Sequence, residues 1–291
     1  MGLHPLTVFG RLMAAAERVL YRDRRIFGVA YLASGVGVGL LSGGVLASTA
    51  GATYLSCGGQ ALVETAGLVD EALARNDLGL ARSEVRSLVG RDTEPLREDE
   101  IVRAVVESVA ENTVDAVVAP LFYACLYGAK GALGYRAVNT LDALVGYKSE
   151  RYERFGWASA RCDDLLNYVP ARLTVLLVIL ARPFRVVEVL RTVRRDASAH
   201  PSPNAGVAEA AFAGALGIRL GGENSYGGVI EMRGVLGGGR SPERADIARA
   251  QQLSRDVGGL FVAGALSLAL HLLCGSSWNM GVIGSSKHRA R

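Results

Sequence analysis

From Glu107 to Ala129 the chain reads ESVAENTVDAVVAPLFYACLYGA, in which three carboxylates and an asparagine pass without a break into a segment fit for a membrane. Glu107, Glu111 and Asp115 are four residues apart, so on one helix they form a slowly drifting stripe facing a single neighbour. Charges are costly to remove from water, and they stand beside an apolar span only where something pairs with them. A divalent cation, a basic substrate or another polar helix would serve.

The rest of the chain supports a bilayer setting. Half of its 291 residues are hydrophobic and the mean hydropathy is positive, more apolar than an ordinary soluble domain. No charged residue occurs from Ile26 to Val63, a run too long for one span and marginal for two, since roughly 20 residues cross a hydrocarbon core. A second uncharged run, Val257 to Ser286, is interrupted only by His271, for which a hydrogen-bonded packing role is expected. Ala116 to Ala129 and Leu173 to Ala181 are too short to assign alone. The expectation is an all-α, polytopic integral membrane protein, one unit over residues 1–291, with long amphipathic or cytoplasmic helices and about three to five membrane-embedded segments.

Arg11, Arg18, Arg22, Arg24 and Arg25 precede the first apolar run, and Arg182, Arg185, Arg191, Arg194 and Arg195 follow the third; the positive-inside rule puts both stretches on the cytoplasmic face of a multi-pass protein of the cell membrane. The start is too long and amphipathic for a signal peptide. With a net charge of +4 and no aromatics interleaved with the basic residues, nucleic acid is not an expected partner; anionic lipid or a phosphorylated ligand is. Cys57, Cys125, Cys162 and Cys274 form no CxxC pair and read as packing residues.

Gly2 to Arg25 has the periodicity of a surface helix. Gly35, Gly39 and Gly43 recur every four residues, which lets two membrane helices approach closely, whereas GVGVG lacks the strand context of a dinucleotide loop. Glu64 to Arg103 predicts two or three helices outside the bilayer, broken near Asn76 and between Gly90 and Pro95. Pro120 is placed to kink or end the acidic helix. In HPSPNAGVAEAAFAGALGIRLGGENSYGG the prolines make a rigid turn, Ser202 or Asn204 caps the alanine-rich helix, and the later glycines open a loop. No strand pattern is long enough to predict a sheet.

Asn139 with Asp142, and Asp163, Asp164 with Asn167, share helix faces as the first acidic stripe does. Oxygen ligands on helices near apolar segments are what a Mg²⁺ site needs, and the competing expectation is arginine pairing on a solvated face. His200 titrates near neutrality and is a candidate general base or phosphate contact, or else a turn residue. Walker, GxSxG, HExxH and paired-cysteine motifs are absent from the sequence.

The segments ESVAENTVDAVVAPLFYA, YRAVNTLDALVGYKSERYERFGWASARCDDLLNYVPARLT and HPSPNAGVAEAAFAGALGIRLGG, with HPLTVFGRLMAAAER, LVGRDT and SYGG, closely resemble the adenosylcobinamide-phosphate synthase family of cobalamin biosynthesis, CobD or CbiB. The resemblance implies a polytopic membrane enzyme joining aminopropanol or its phosphate, through an amide, to a propionate of adenosylcobyric acid. It also implies ATP as co-substrate, Mg²⁺, and room for association with other corrinoid-pathway enzymes. Transferred by motif, the catalytic candidates are Glu107, Glu111, Asn112, Asp163, Asp164, Asn167 and His200. Those for substrate are Asn139, Arg161, Arg172, Ser202, Asn204 and Tyr226, and those for metal are Asp115, Asp142 and Asp164.

Three features depart from the family pattern. Members usually carry an apolar helix and an acidic GDP-type turn before the HP motif, whereas His4 stands almost at the start here; the expectation is a missing span or a misassigned start codon. SCGGQ from Ser56 to Gln60 replaces a more regular helix, and Glu223 stands where proline is common. The competing classes are a carrier or channel and a pathway scaffold, but the acids cluster at span ends rather than within the apolar runs.

Overall fold

The computed structural model describes residues 5–283 except 47 and 148, with side chains described as far as Leu273. His4, the Cys274 side chain and the end of the second uncharged run past Ile283 lie outside the described residues. In chain order the helices are α1 (Pro5–Leu20), α2 (Arg25–Val45), α3 (Thr49–Ser56), α4 (Gly59–Ala74), α5 (Leu78–Val85), α6 (Glu98–Thr113), α7 (Ala119–Val145), α8 (Trp157–Ala181), α9 (Val186–Asp196), α10 (Ala205–Leu216) and α11 (Ala245–Ile283). Among the described residues, four segments are long and apolar enough to cross a membrane: Arg25–Val45, Glu98–Val145, Trp157–Ala181 and Ala245–Leu273. This is an all-α polytopic architecture, as the hydropathy pattern predicts.

The glycine spacing in α2 has the expected consequence. Gly28, Gly35, Gly39 and Gly43 form its buried face, and α2 lies along α7. A Cβ at Gly39 would stand 2.8 Å from the Ala137 Cβ and from the Leu133 carbonyl, and one at Gly43 would stand 2.6 Å from the Lys130 Cα. Backbones approach this closely only where side chains are absent. Met13, Tyr31, Leu141 and Phe155 pack beside this seam.

The long uncharged run holds one span. It is followed by α3, which packs on α7, and by the start of α4. Ser48 caps α3 by accepting a hydrogen bond from Gly51 N at 3.1 Å. The break between α3 and α4 falls at the glycines of SCGGQ, and Gly58 N donates to the Ala116 carbonyl at 3.0 Å. That carbonyl is available because Pro120, four residues on, has no N–H to give it. Between α6 and α7 the helix passes through a π-helical stretch, Val114–Val118, so Pro120 neither ends it nor breaks it sharply. The break occurs instead at Gly128, with φ 61° and ψ −145°.

The charged segment divides as its breaks predict. Asn76 turns the chain at φ 57°, and the Asp77 side chain caps α5 by accepting from Leu80 N at 2.9 Å. The core proper includes Val105 and Val109 of α6, Val69 of α4, Val178 of α8, Leu253 of α11 and Phe212 of α10, a helix buried at every position.

Two expectations are corrected. The glycines after α10 shape an antiparallel hairpin, β1 (Leu220–Tyr226) with β2 (Val229–Leu236), rather than a loop. Gly227 and Gly228 turn it with φ of 58° and 79°, values a two-residue hairpin loop requires and glycine adopts without strain. His271 is exposed rather than packed, on a stretch of α11 whose apolar residues also face outward.

Gly39→Leu is expected to lower stability by about 1–3 kcal/mol through overpacking of the seam, whereas Gly37→Leu, which meets open space, leaves it unchanged. Thermal unfolding of the detergent-solubilised protein compares the two.

Candidate functional site

Two polar clusters lie inside the bundle, with Glu111 between them. In the first, α7 and α8 present their acids and amides to Asp115 of the π-helical stretch. The Asn139 amide donates to Asp115 Oδ2 at 3.1 Å and to Asp163 Oδ1 at 3.3 Å, and Asn167 donates to Asp163 Oδ2 at 2.9 Å. Tyr135 donates to Asn167 Oδ1 at 2.8 Å, and Arg136 donates to Asn139 Oδ1 at 3.0 Å. Two carboxylates facing one amide cannot both stay ionised without a compensating cation or shared proton. Asp142 stands nearby within electrostatic reach of Asp163, Asp164 and Glu111, and its carboxylate makes no hydrogen bond among the described residues.

Asp164 leads from this cluster to a cavity of about 620 Å³ whose walls include Arg161, Tyr147, Trp157, Pro201 and Pro203. Arg161 lies 3.6 Å from the Asp164 carboxylate. The Asn204 amide donates to the Asp164 carbonyl at 2.7 Å and accepts from Arg172 at 2.8 Å, while the Arg172 guanidinium lies 3.6 Å above the Tyr168 ring. Asn204 thus joins α8 to the HPSPN turn and leaves capping to Ser202, whose Oγ accepts from Asn204 N and Ala205 N.

The second cluster ties the hairpin to α6. Arg91 pairs with Glu107 with both side chains buried, and donates to Asn224 Oδ1 at 2.7 Å. The other Glu107 oxygen accepts from Gly221 N at 2.7 Å, and Arg103 donates to the Gly221 and Glu223 carbonyls. Asp92 accepts from Ser225 Oγ, Gly227 N and Gly228 N, and these bonds hold its carboxyl below the usual range. Deeper in, His200 Nε2 faces Arg233 Nη1 at 3.2 Å and Glu209 Oε1 at 3.6 Å, and Ser202 N donates to His200 Nδ1 at 3.0 Å. Burial first, and then Arg233, push the His200 pKa down, which favours the neutral ring. Burial, reinforced by Glu107 and Glu111, pushes the Glu209 carboxyl well up. The Arg233 guanidinium lies 5.2 Å from the Tyr226 ring centre.

Glu111 is exposed and makes no hydrogen bond with its side chain among the described residues. It lies within electrostatic reach of Arg233, Glu107 and Arg91 on one side and of Asp115 on the other. The acidic stripe therefore does not face one neighbour: Glu107 belongs to the hairpin, Asp115 to α7 and α8, and Glu111 stands exposed between them. Arginine pairing holds for Glu107, but in the interior rather than on a solvated face. Asn112 is turned back on its own helix, donating to the Ser108 carbonyl at 2.9 Å.

The sequence reading missed Glu209, Arg91, Arg233, Tyr135 and Arg136. Glu209 carried a signal, being the one charge in a twelve-residue apolar helix. Arg233, on an unpredicted strand, carried none.

A family model described as CobD/Cbib protein matches residues 1–254, which contain both clusters. The chain belongs to this family. Among its CobD/Cbib relatives, the cobalamin biosynthesis protein CobD of Mycobacterium tuberculosis (strain ATCC 25618 / H37Rv) is 47% identical over 285 residues, 93% of this chain and 89% of its own length. The protein of that name from Chromobacterium violaceum is 43% identical over 94% of this chain and 92% of its own. The one from Rhodobacter capsulatus is 40% identical over 87% and 85%. No solved structure matches.

Among the described residues of this CobD/Cbib chain, no three His, Cys, Asp or Glu side chains are grouped to hold a metal ion. The pairing of Asp115 with Asp163 across Asn139 nevertheless has the chemistry of a Mg²⁺ site. That ion takes oxygen donors, needs only one or two carboxylates, and completes its shell with water and phosphate oxygens.

Two stability tests follow from this geometry. Arg91→Met strands Glu107 in the interior and is expected to cost about 3–5 kcal/mol; Arg91→Met with Glu107→Leu recovers most of it in chemical unfolding. Glu209 binds its proton more tightly folded than unfolded, where a glutamate titrates at about 4.3, so its contribution to stability is full below that pH and lost as pH rises through the folded value. Glu209→Gln is therefore expected to match wild type near pH 4 and to exceed it in melting temperature at pH 8.

Proposed function

We propose that this protein acts in cobalamin biosynthesis as an ATP-dependent amide synthase of the cell membrane, joining aminopropanol or its phosphate to a propionate carboxylate of adenosylcobyric acid. The observation that carries the proposal is that, in a CobD/Cbib chain, the acids and amides Asp115, Asn139, Asp163 and Asn167 are hydrogen-bonded together and Asp164, next along α8, lines a cavity with Arg161. The arginine-rich ends of α1 and α8 would face the cytoplasm, where ATP is available.

A carboxylate is a poor electrophile. In the proposed sequence its oxygen attacks the terminal phosphorus of ATP, ADP leaves, and the amine then attacks the acyl phosphate, expelling inorganic phosphate and losing a proton. The chain's part is to hold the reactants in line, neutralise phosphate charge and accept the proton. Mg²⁺ would supply charge neutralisation at the phosphates, held by Asp115 and Asp163 with Asp142 and Asp164 alongside. Arg161, exposed at the cavity, would meet a phosphate; Arg172, anchored by Asn204, would fix the turn that shapes the opposite wall. His200 is the proposed proton acceptor, held neutral by burial and Arg233. Glu111, exposed and without a side-chain hydrogen bond among the described residues, would receive the ammonium group of the incoming amine.

The test is mass-spectrometric detection of product from protein in nanodiscs with adenosylcobyric acid, aminopropanol or its phosphate, ATP and Mg²⁺. A product heavier than adenosylcobyric acid by the amine minus water, formed only with ATP, is expected. His200→Ala should lower its rate by about 10²–10⁴-fold, the usual range for a general base, and Asp163→Asn should lower it comparably while the variant stays folded. No product with either amine, or full activity in both variants, would overturn the proposal.

A further inference from the structure

A second cavity, of about 480 Å³, opens where α8 ends, with Arg182, Arg185 and Arg249 around a floor that includes Ala181, Leu216 and Phe184. The arginines come from three elements: the cap of α8, the 3-10 turn Pro183–Arg185, and α11. Arg182 pairs with Asp256 at 2.7 Å and Arg249 with Asp246 at 2.5 Å, and Asp246 also pairs with Arg240. Arg185 has no carboxylate partner among the described residues; its guanidinium lies beside Gly217, at the C-terminal cap of α10. Along α9, Arg191, Arg194 and Arg195 are opposed only by Glu188 and Asp196. Positive charge is in excess throughout.

The apolar surface beside these arginines is continuous with a candidate membrane span. Leu176 and Leu180 face outward on α8, and the stripe runs on through Phe184, which is fully exposed, to Val187 and Leu190 of α9. Only Arg182 and the Pro183–Arg185 turn separate the candidate span from α9, which would hold α9 near a bilayer boundary.

We infer that this cavity binds the phosphate headgroup of an anionic phospholipid, with Phe184, Val187 and Leu190 against its acyl chains. A soluble phosphate would use the arginines and leave the stripe bare, and a neutral lipid would cover the stripe and leave the excess charge unmatched. An anionic lipid satisfies both.

Native mass spectrometry of the full chain, released from nanodiscs of equal phosphatidylglycerol and phosphatidylcholine, tests the inference. Wild type is expected to retain phosphatidylglycerol over phosphatidylcholine by about fivefold or more, and Arg185→Gln to lower that ratio about fivefold, the factor one arginine contributes near an anionic surface. Phe184→Ser should lower the total lipid retained. Among the described residues Arg185 is in no ion pair and Phe184 is outside the core, so both variants should melt with wild type. Equal retention of the two lipids by wild type, an unchanged ratio in Arg185→Gln, unchanged total retention in Phe184→Ser, or displacement of phosphatidylglycerol by millimolar inorganic phosphate would each overturn it.

Discussion

The pairing of Arg91 with Glu107 inside the bundle joins the loop before α6 and α6 itself to the hairpin, which is remote in sequence. Each partner alone would be a buried, uncompensated charge, and the pair is tolerable because further hydrogen bonds from Gly221, and to Asn224, take up its remaining oxygen and N–H groups. With that contact made, Asp92 reaches the hairpin turn, β2 brings Arg233 against His200, and the second polar cluster closes over Glu209. The hairpin has a mostly exposed second strand, so it is held in place by these polar ties more than by packing of its own.

The first cluster depends on a different constraint, the approach of helix backbones. Glycines on α2 let it lie against α7, and α7 carries Asn139 and Asp142 toward Asp115 and α8. Pro120 contributes from within the chain, because the carbonyl it leaves unpaired receives the Gly58 N–H and so docks the start of α4 on the π-helical stretch. That stretch begins at Val114, between Glu111 and Asp115.

Much of the site was legible because its residues recur at helical spacing beside apolar runs. Asn139 with Asp142, and Asp163 with Asp164 and Asn167, were recognisable as two sets, and only the fold showed that Asn139 meets Asp163. Where capping was at issue, Ser202 and Asn204 were equivalent in sequence; only the position of Arg172 and the Asp164 carbonyl decided that Ser202 caps α10 while Asn204 bridges to α8. The hairpin was hidden because β1 is mostly glycine and polar residues with no alternation, although the Gly-Gly pair at 227 and 228 was a turn signal. Arg233 and Arg136 could not be singled out among many arginines, since their roles arise from what lies across from them.

Periodicity, charge spacing and uninterrupted apolar length are local properties, and by themselves they determined that this chain is helical, that several of its helices can cross a membrane, and which stripe of α2 must be close-packed. Motif order was enough to point to the family. The partners of each buried charge were decided only by the tertiary structure, because the electrostatic cost of burial is set by groups distant in sequence that the fold brings within a few ångströms. For that reason Glu107 became half of an ion pair, Asp115 half of a carboxylate couple, and Glu111, midway between them on the same stripe, the acid left exposed.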